Sequence, residues 1–241
     1  MNKHLIHEMA KIEENYWWFK QKRHFLQQLI KENSKLSKLD ILDCGCGTGT
    51  TLKTLRNFGE VYGIDFDRDC INYCKNRGLD NVIHQDITKP IKFKKKFDVV
   101  IISDVLEHLE NPEKALHEIN KVTKKDGIVL ITVPAHPWLY GKWDKMLHHK
   151  RRYTLNTLEN LIRTQPDFNI IKKGYYNLQS LPPAIISKYI IMKLFKLKSQ
   201  FWNTTPMLNK ILSSTGKLDN SLALRLPFYL GLSIYAVVKK K

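Results

Sequence analysis

Acidic residues are scarce in this chain: 23 Asp and Glu stand against 40 Lys and Arg in 241 residues, a formal net charge of +17. Cysteine is scarcer still, with four in all. That is too few for a disulfide-stapled secreted scaffold of this length. The cysteines fall in two close pairs, Cys44/Cys46 and Cys70/Cys74. Neither pair has the C-x-x-C spacing of a zinc knuckle. They are read as small packing residues, no metal is expected, and a reducing cytoplasm is the expected compartment. Long apolar runs are also missing. No stretch reaches the ~18 residues of a membrane-spanning helix. The best candidate, Leu181 to Phe195, is broken by Lys188 and Lys193. The first residues lack the apolar core of a signal peptide. With no linker, low-complexity tract or repeat, one domain with an insertion is expected.

The charge is uneven. From Asp167 onward the chain carries twelve Lys and Arg and two acids. Such an excess points to an anionic membrane surface, a nucleic acid or a phosphorylated substrate. A lysine-rich surface that only keeps the protein soluble is the plainer alternative.

Strands and helices alternate from residue 39 to 133. Leu39–Asp43, Val61–Asp65, Asn81–His84, Phe97–Ile102 and Ile128–Val133 read as strands. Thr50–Phe58, Arg68–Lys75 and Pro112–Val122 read as helices between them. Phe97–Ile102 is almost continuously apolar, as a strand covered on both faces must be. This rhythm predicts an α/β fold, a Rossmann-like doubly wound sheet. Later, Thr154–Arg163 reads as helix, and Phe168–Lys172 and Gly231–Val238 as strands. The organisation expected is a helical cap (1–38), a core (39–171), a basic helical insertion (172–230) and a final core strand (231–241).

The first strand runs into Asp43-Cys44-Gly45-Cys46-Gly47-Thr48-Gly49-Thr50. Glycines between a strand and a helix let the backbone turn tightly and approach a ligand. The pattern is G-x-G-x-G, shorter than the loop that wraps a dinucleotide pyrophosphate. A ligand without phosphates fits better, with Asp43 meeting a cationic group. Asp65, 22 residues on, ends the second strand, where a carboxylate can take a ribose diol. Asp86-Ile87 follow the third strand and can bind and pack an adenine.

This set, with Ser103-Asp104-Val105-Leu106-Glu107-His108-Leu109, resembles the class I S-adenosylmethionine-dependent methyltransferases. The resemblance covers residues 39–133. It implies a seven-stranded sheet whose last strand is antiparallel, and S-adenosylmethionine as cofactor, leaving as S-adenosylhomocysteine. It implies cofactor contacts from Asp43, Gly45, Cys46, Gly47 and Thr48, from Asp65 and Phe66, from Asp86 and Ile87, and from Ser103, Asp104, Val105 and His108. The loop after the fourth strand lacks the N/D-P-P-Y/F motif of amino-methylating nucleic-acid enzymes. No cysteine past position 74 could serve as a pyrimidine-attacking nucleophile.

A second block is similar to a group of microbial methyltransferases associated with cell-envelope and polysaccharide genes. Val133-Pro134-Ala135-His136 follows the fifth strand, then Trp143-Asp144 and His149-Lys150-Arg151-Arg152-Tyr153-Thr154. The group has Tyr where Lys150 stands. His136 and His149 are the candidate general bases, since imidazole titrates near working pH. Arg151 and Arg152 can clamp a phosphate or carboxylate, or instead pair with Asp144. Tyr140 and Tyr153 complete the expected acceptor side.

The same group begins with a Trp-Trp-Phe, here Tyr16-Trp17-Trp18-Phe19. Trp18, Phe19 and Arg23 are expected on the cofactor, Arg23 at its carboxylate, and Tyr16 and Trp17 on the acceptor. Leu181–Lys198, placed on a helix, gathers lysines on one arc, as for a membrane-lying helix or a lid. The function expected is O-methylation of a sugar, phosphorylated sugar or related envelope precursor, glycan- or lipid-linked, in the cytoplasm with peripheral contact to anionic membrane. An RNA methyltransferase and a non-catalytic cofactor-binding partner remain the alternatives.

Overall fold

The computed structural model describes residues 3–34, 37–186, 188, 204–226 and 229–241. The strands are β1 (Leu39–Cys44), β2 (Gly59–Asp65), β3 (Val82–His84), β4 (Phe97–Ser103), β5 (Thr123–Pro134), β6 (Phe168–Tyr176) and β7 (Ser233–Lys240). They form one seven-stranded sheet in the order β3-β2-β1-β4-β5-β7-β6. All neighbours pair in parallel except β7, which runs antiparallel to both β5 and β6. The doubly wound sheet with its reversed last strand is as expected.

Helices cover both faces because the strands carry apolar residues on both. Ile41, Val99, Ile101 and Leu130 face α2 (Trp17–Asn33), α3 (Thr50–Leu55) and α4 (Arg68–Asn76). Leu42, Val100, Ile102, Val129 and Ile131 face α5 (Pro112–Val122) and α7 (Leu155–Arg163). Helix α6 is the short Lys142–Met146, and α1 is Lys3–Ile12. In α2, Phe25, Leu26, Leu29 and Ile30 are all buried. Each contributes about 1.5–3 kcal/mol relative to exposure.

Past β6, the short α8 (Leu181–Ile186) and the long α9 (Pro206–Arg225) precede β7. Helix α9 packs along α2 through small and polar residues, Ser213, Gly216 and Asn220. Gln21 of α2 is buried there and bonds Asn177 and Gln179. The start of α2 has no local side-chain cap. Asn209 of α9 supplies one, accepting from the Trp17 amide at 2.8 Å and donating to the Asn15 carbonyl at 2.9 Å.

Several boundaries differ from the sequence reading, the last strand being shifted from Gly231–Val238 to Ser233–Lys240. Strand β5 starts at Thr123, ahead of Asp126-Gly127, because Thr123 pairs with Phe97 before a register shift. Strand β6 continues to Tyr176, past the Lys172 expected, since β7 pairs with it as far as Ser233. The helix expected over Thr50–Phe58 ends at Leu55 and tightens into a 3-10 turn over Arg56–Phe58. Of the lysine-bearing segment Leu181–Lys198, everything beyond Ile186 except Lys188 lies outside the described residues.

Candidate active site

Strands β1 and β4 are neighbours, and the chain leaves them toward opposite sheet edges. Such a switch point opens a crevice at the C-terminal strand ends. A cavity of about 1050 Å³ lies here, walled by the ends of β1, β2, β4 and β5 and by α1 and the start of α2.

One end of the cavity is a cradle. The amides of Gly45 and Cys46 donate to the Ile64 carbonyl, which fixes the glycine loop to β2. Gly45 has φ +91°, and a Cβ there would meet Val105 Cγ2 at 2.3 Å. Gly47 has φ +54° with nothing within 4 Å of its missing Cβ, so it leaves bare backbone facing open space. Asp65 accepts the Gly47 amide at 2.8 Å on one oxygen and the Asp67 amide at 2.9 Å on the other. Each carboxylate oxygen keeps a second lone pair for a diol. Beside it Phe66 is 74 % exposed, a bare ring on the cavity wall. Asp86 is anchored by Thr88 through Oδ1, and its Oδ2 makes no hydrogen bond among the described residues. Ile87 is buried behind it. Asp43 is 4 % exposed. Burial raises its pKa to about 7, against an opposing pull from Lys22. A buried carboxylate at the end of β1 favours a cationic ligand group beside it.

The aromatic segment closes this end. Trp17 and Trp18 meet edge to face at 5.7 Å, and Tyr16 packs against both Trp17 and Phe19. All four rings line the cavity. Arg23 lines it too, with its terminal nitrogens donating to the carbonyls of Glu13 and Glu14 at 2.8 and 2.9 Å. It thereby ties the α1–α2 turn to α2. Glu13 is buried, and burial raises its pKa. Arg77 pairs with it at 2.5 Å and donates to the Thr48 carbonyl at 2.7 Å, and Thr48 Oγ1 also bonds Glu13. This clasp joins the glycine loop to the cap. No motif marks Arg77, and only the fold brings it here.

The other end is polar and buried. Asp104 adopts φ 53°, and its carboxylate accepts from Lys22 at 2.5 Å and from Thr132 at 3.1 Å. Thr132 shares a 2.7 Å hydrogen bond with Ser103. Glu107 and His108 follow on a 3-10 turn. Burial, with Asp104 nearby, raises the Glu107 pKa, while burial and His149 lower that of His108 to about 4. His149 Nδ1 donates to Asp144 Oδ1 at 3.0 Å, and Asp144 also holds Arg152 Nε at 2.7 Å and the Gly141 amide at 2.9 Å. These partners hold the Asp144 pKa down despite its burial. A neutral ring held this way has its free lone pair on Nε2.

The structure gathers in the lining of this one cavity the expected Tyr16, Trp17, Trp18, Phe19, Arg23, Asp43, Gly45, Cys46, Gly47, Thr48, Asp65, Phe66, Asp86, Ile87, Ser103, Asp104, Val105, His108, His149 and Arg152. It does not bring His136, Tyr140, Arg151 or Tyr153 into that lining. His136 stacks on Tyr175 at 5.4 Å and bonds the Gly231 carbonyl. Arg151 reaches the carbonyls of Leu109 and Glu110. Tyr140 and Tyr153 bond the carbonyls of His149 and Leu106 and brace the wall from behind. Arg152 takes Asp144, the alternative weighed for that pair.

Residues 18–166 match the methyltransferase domain family, which is more than half of the chain. The chain belongs to that family. A ubiquinone biosynthesis O-methyltransferase of Pelagibacter ubique is 30% identical over 154 residues, covering 54% of this chain and 64% of that protein. The chain thus spans under two thirds of that relative's length. The solved plantazolicin methyltransferase BpumL shares the fold at TM-score 0.63 and 19% identity, over 100% of this chain and 91% of that one. A [4+2]-cyclase, SpnF, shares it at TM-score 0.58 and 18% identity, over 90% of this chain and 80% of that one. The fold therefore does not by itself name the reaction.

Proposed function

We propose that this methyltransferase-family chain binds S-adenosylmethionine and methylates an oxygen of an acceptor with an apolar body. One observation carries the reading: a nucleoside-type cradle and a buried Glu107–His149 nest share a single cavity. Asp65 would take the ribose diol, Asp86 the adenine amine and Phe66 the adenine face. Asp43 and the bare Gly45–Gly47 backbone would take the amino-acid portion. When bound, this cofactor supplies a sulfonium methyl already activated toward nucleophiles. The protein's share is to align the acceptor oxygen, exclude water and assist loss of the acceptor proton.

The acceptor side supports a compound part greasy and part charged. Leu139, Trp143, Leu147, Pro183 and Ala184 line it, and Lys114, Lys142 and Lys188 add positive charge. A sugar or phosphorylated sugar carried on a lipid matches both features. Among the described residues, apolar side chains interspersed with these lysines meet the nest, rather than the continuous basic face that RNA requires. No helix among the described residues is long and apolar enough to cross a membrane.

Incubation with methyl-labelled cofactor and a panel of lipid-linked, phosphorylated and free sugars tests the reading. Label should enter hydroxyls of an amphiphilic acceptor. Label entering RNA, or amines alone, would refute it.

A further inference from the structure

Glu107 sits on the cavity wall and is 0 % exposed. Neither of its carboxylate oxygens has a hydrogen-bond partner in another described residue. A charged carboxylate buried without a partner costs several kcal/mol, so such a group holds a proton, pairs with a cation or binds a metal. The cations nearby are engaged elsewhere: Lys22 holds Asp104, and Arg152 holds Asp144 and the Ala135 carbonyl.

Two imidazoles face this carboxylate. His149 Nε2 lies 3.9 Å from Glu107 Oε1. Its Nδ1 is fixed by Asp144, which Arg152 and the Gly141 amide hold in turn. His108 stands edge-on to His149 with ring centroids 4.7 Å apart, and the His148 main chain lies against it. One donor atom from each of Glu107, His108 and His149 lies within 4.8 Å of the others.

We infer that Glu107, His108 and His149 form a divalent-cation site on the wall of the acceptor cavity. A metal-bound histidine characteristically gives its other nitrogen to a carboxylate, as His149 does to Asp144. Two nitrogen donors and one carboxylate suit zinc or manganese and disfavour calcium and magnesium. Bonds of about 2.1 Å around a tetrahedral ion place donors about 3.4 Å apart. The 3.9 Å gap between His149 and Glu107 is near that spacing. Three protein donors leave a position open toward the cavity, the pattern of a catalytic ion rather than a structural one.

The role of the ion rests on the methyl-transfer reading, though its geometry does not. An acceptor hydroxyl bound at the open position becomes more acidic and releases its proton to solvent through the cavity mouth. The oxygen lone pair then forms the O–CH₃ bond. The S–CH₃ bond breaks with its electron pair going to sulfur, which becomes a neutral thioether. His149 then serves as a ligand, not as the base expected from its sequence motif.

Tag-free protein stripped with a chelator is titrated with zinc, manganese and cobalt chloride, and bound metal is measured after gel filtration. One ion per chain is expected, with visible cobalt absorption bands of a nitrogen- and oxygen-ligated site. Glu107→Gln and His149→Gln should each lower zinc affinity at least tenfold, and Asp144→Asn about 10- to 100-fold. The exposed His117→Ala control should bind like wild type. Thermal melts check that each variant is folded, and His108→Asn stands in for any that is not. S-adenosylhomocysteine binding is measured on the same samples. Homocysteine-nucleoside binding without saturable metal uptake, or uptake unchanged in Glu107→Gln and His108→Asn, overturns the site and leaves the methyltransferase reading standing. Loss of nucleoside binding in the wild type would instead strike that reading.

Discussion

Asp43→Asn should make the ligand-free protein more stable and the cofactor complex weaker. Asp43 ends β1 and is almost wholly buried, and burial lifts its pKa from 3.8 to about 7. Between those values the folded protein keeps a proton that the unfolded chain has lost. Folding therefore becomes less favourable as pH rises from about 4 to about 7, and stays so above. At about 1.4 kcal/mol per pH unit, the buried acid costs the fold about 4 kcal/mol at pH 8, where it is charged, and about 2 kcal/mol at pH 5, where it must hold a proton that the unfolded chain has lost. The amide has the same size and no charge. In a chain of this length 1 kcal/mol moves the melting temperature by about 2–4 °C. Asp43→Asn should then melt about 10 °C higher at pH 8, with an advantage that roughly halves at pH 5. Its S-adenosylmethionine affinity should fall about 10- to 100-fold, the worth of a hydrogen bond to a charged group. Scanning fluorimetry at the two pH values and calorimetry at pH 8 measure both effects. A variant that melts below wild type at pH 8, or whose advantage grows toward acid pH, would refute the reasoning.

Other substitutions separate binding from folding. Phe66→Ala should weaken S-adenosylhomocysteine binding about tenfold, by lost base stacking. It should barely change melting, since the ring is exposed. Gly47→Ala should fold with a cost of about 1–2 kcal/mol from its left-handed backbone. Gly45→Ala should unfold the loop, because its Cβ collides with Val105; similar melts for the two would contradict this. Arg77→Ala strands Glu13 and should destabilise by about 3 kcal/mol or more. Adding Glu13→Gln should recover much of that in urea melts, and additive losses would argue against the clasp. Asn209→Ala removes the cap of α2 and should cost about 1 kcal/mol, read from the same melts.

The sheet was legible because its strands are apolar runs alternating with amphipathic helices, the first two running into Asp43 and Asp65. The placement of the glycine loop, Asp65 and Asp86 on one cavity was legible because each follows a strand end, while that of the aromatic segment rested on its resemblance to a Trp-Trp-Phe group. The Glu13–Arg77–Thr48 clasp was not, since its members come from three segments that only the folded chain brings together. Asn209 as the cap of α2 was hidden for the same reason, lying 192 residues from the amide it satisfies. His136 and His149 looked equivalent as imidazoles near strand ends. The structure separates them: one stacks on Tyr175 away from the wall, and the other meets Glu107. Burial without a partner, the feature that distinguishes Glu107, has no signature in a linear sequence.

The central claim is that the cradle at the ends of β1 to β3 holds the nucleoside of S-adenosylmethionine. Calorimetric titration of the wild-type protein with S-adenosylhomocysteine tests it most directly, with Asp65→Ala run alongside. One molecule should bind per chain in the micromolar range, and Asp65→Ala should lose most of that affinity. No saturable heat up to millimolar ligand, or equal binding by Asp65→Ala, would contradict the account.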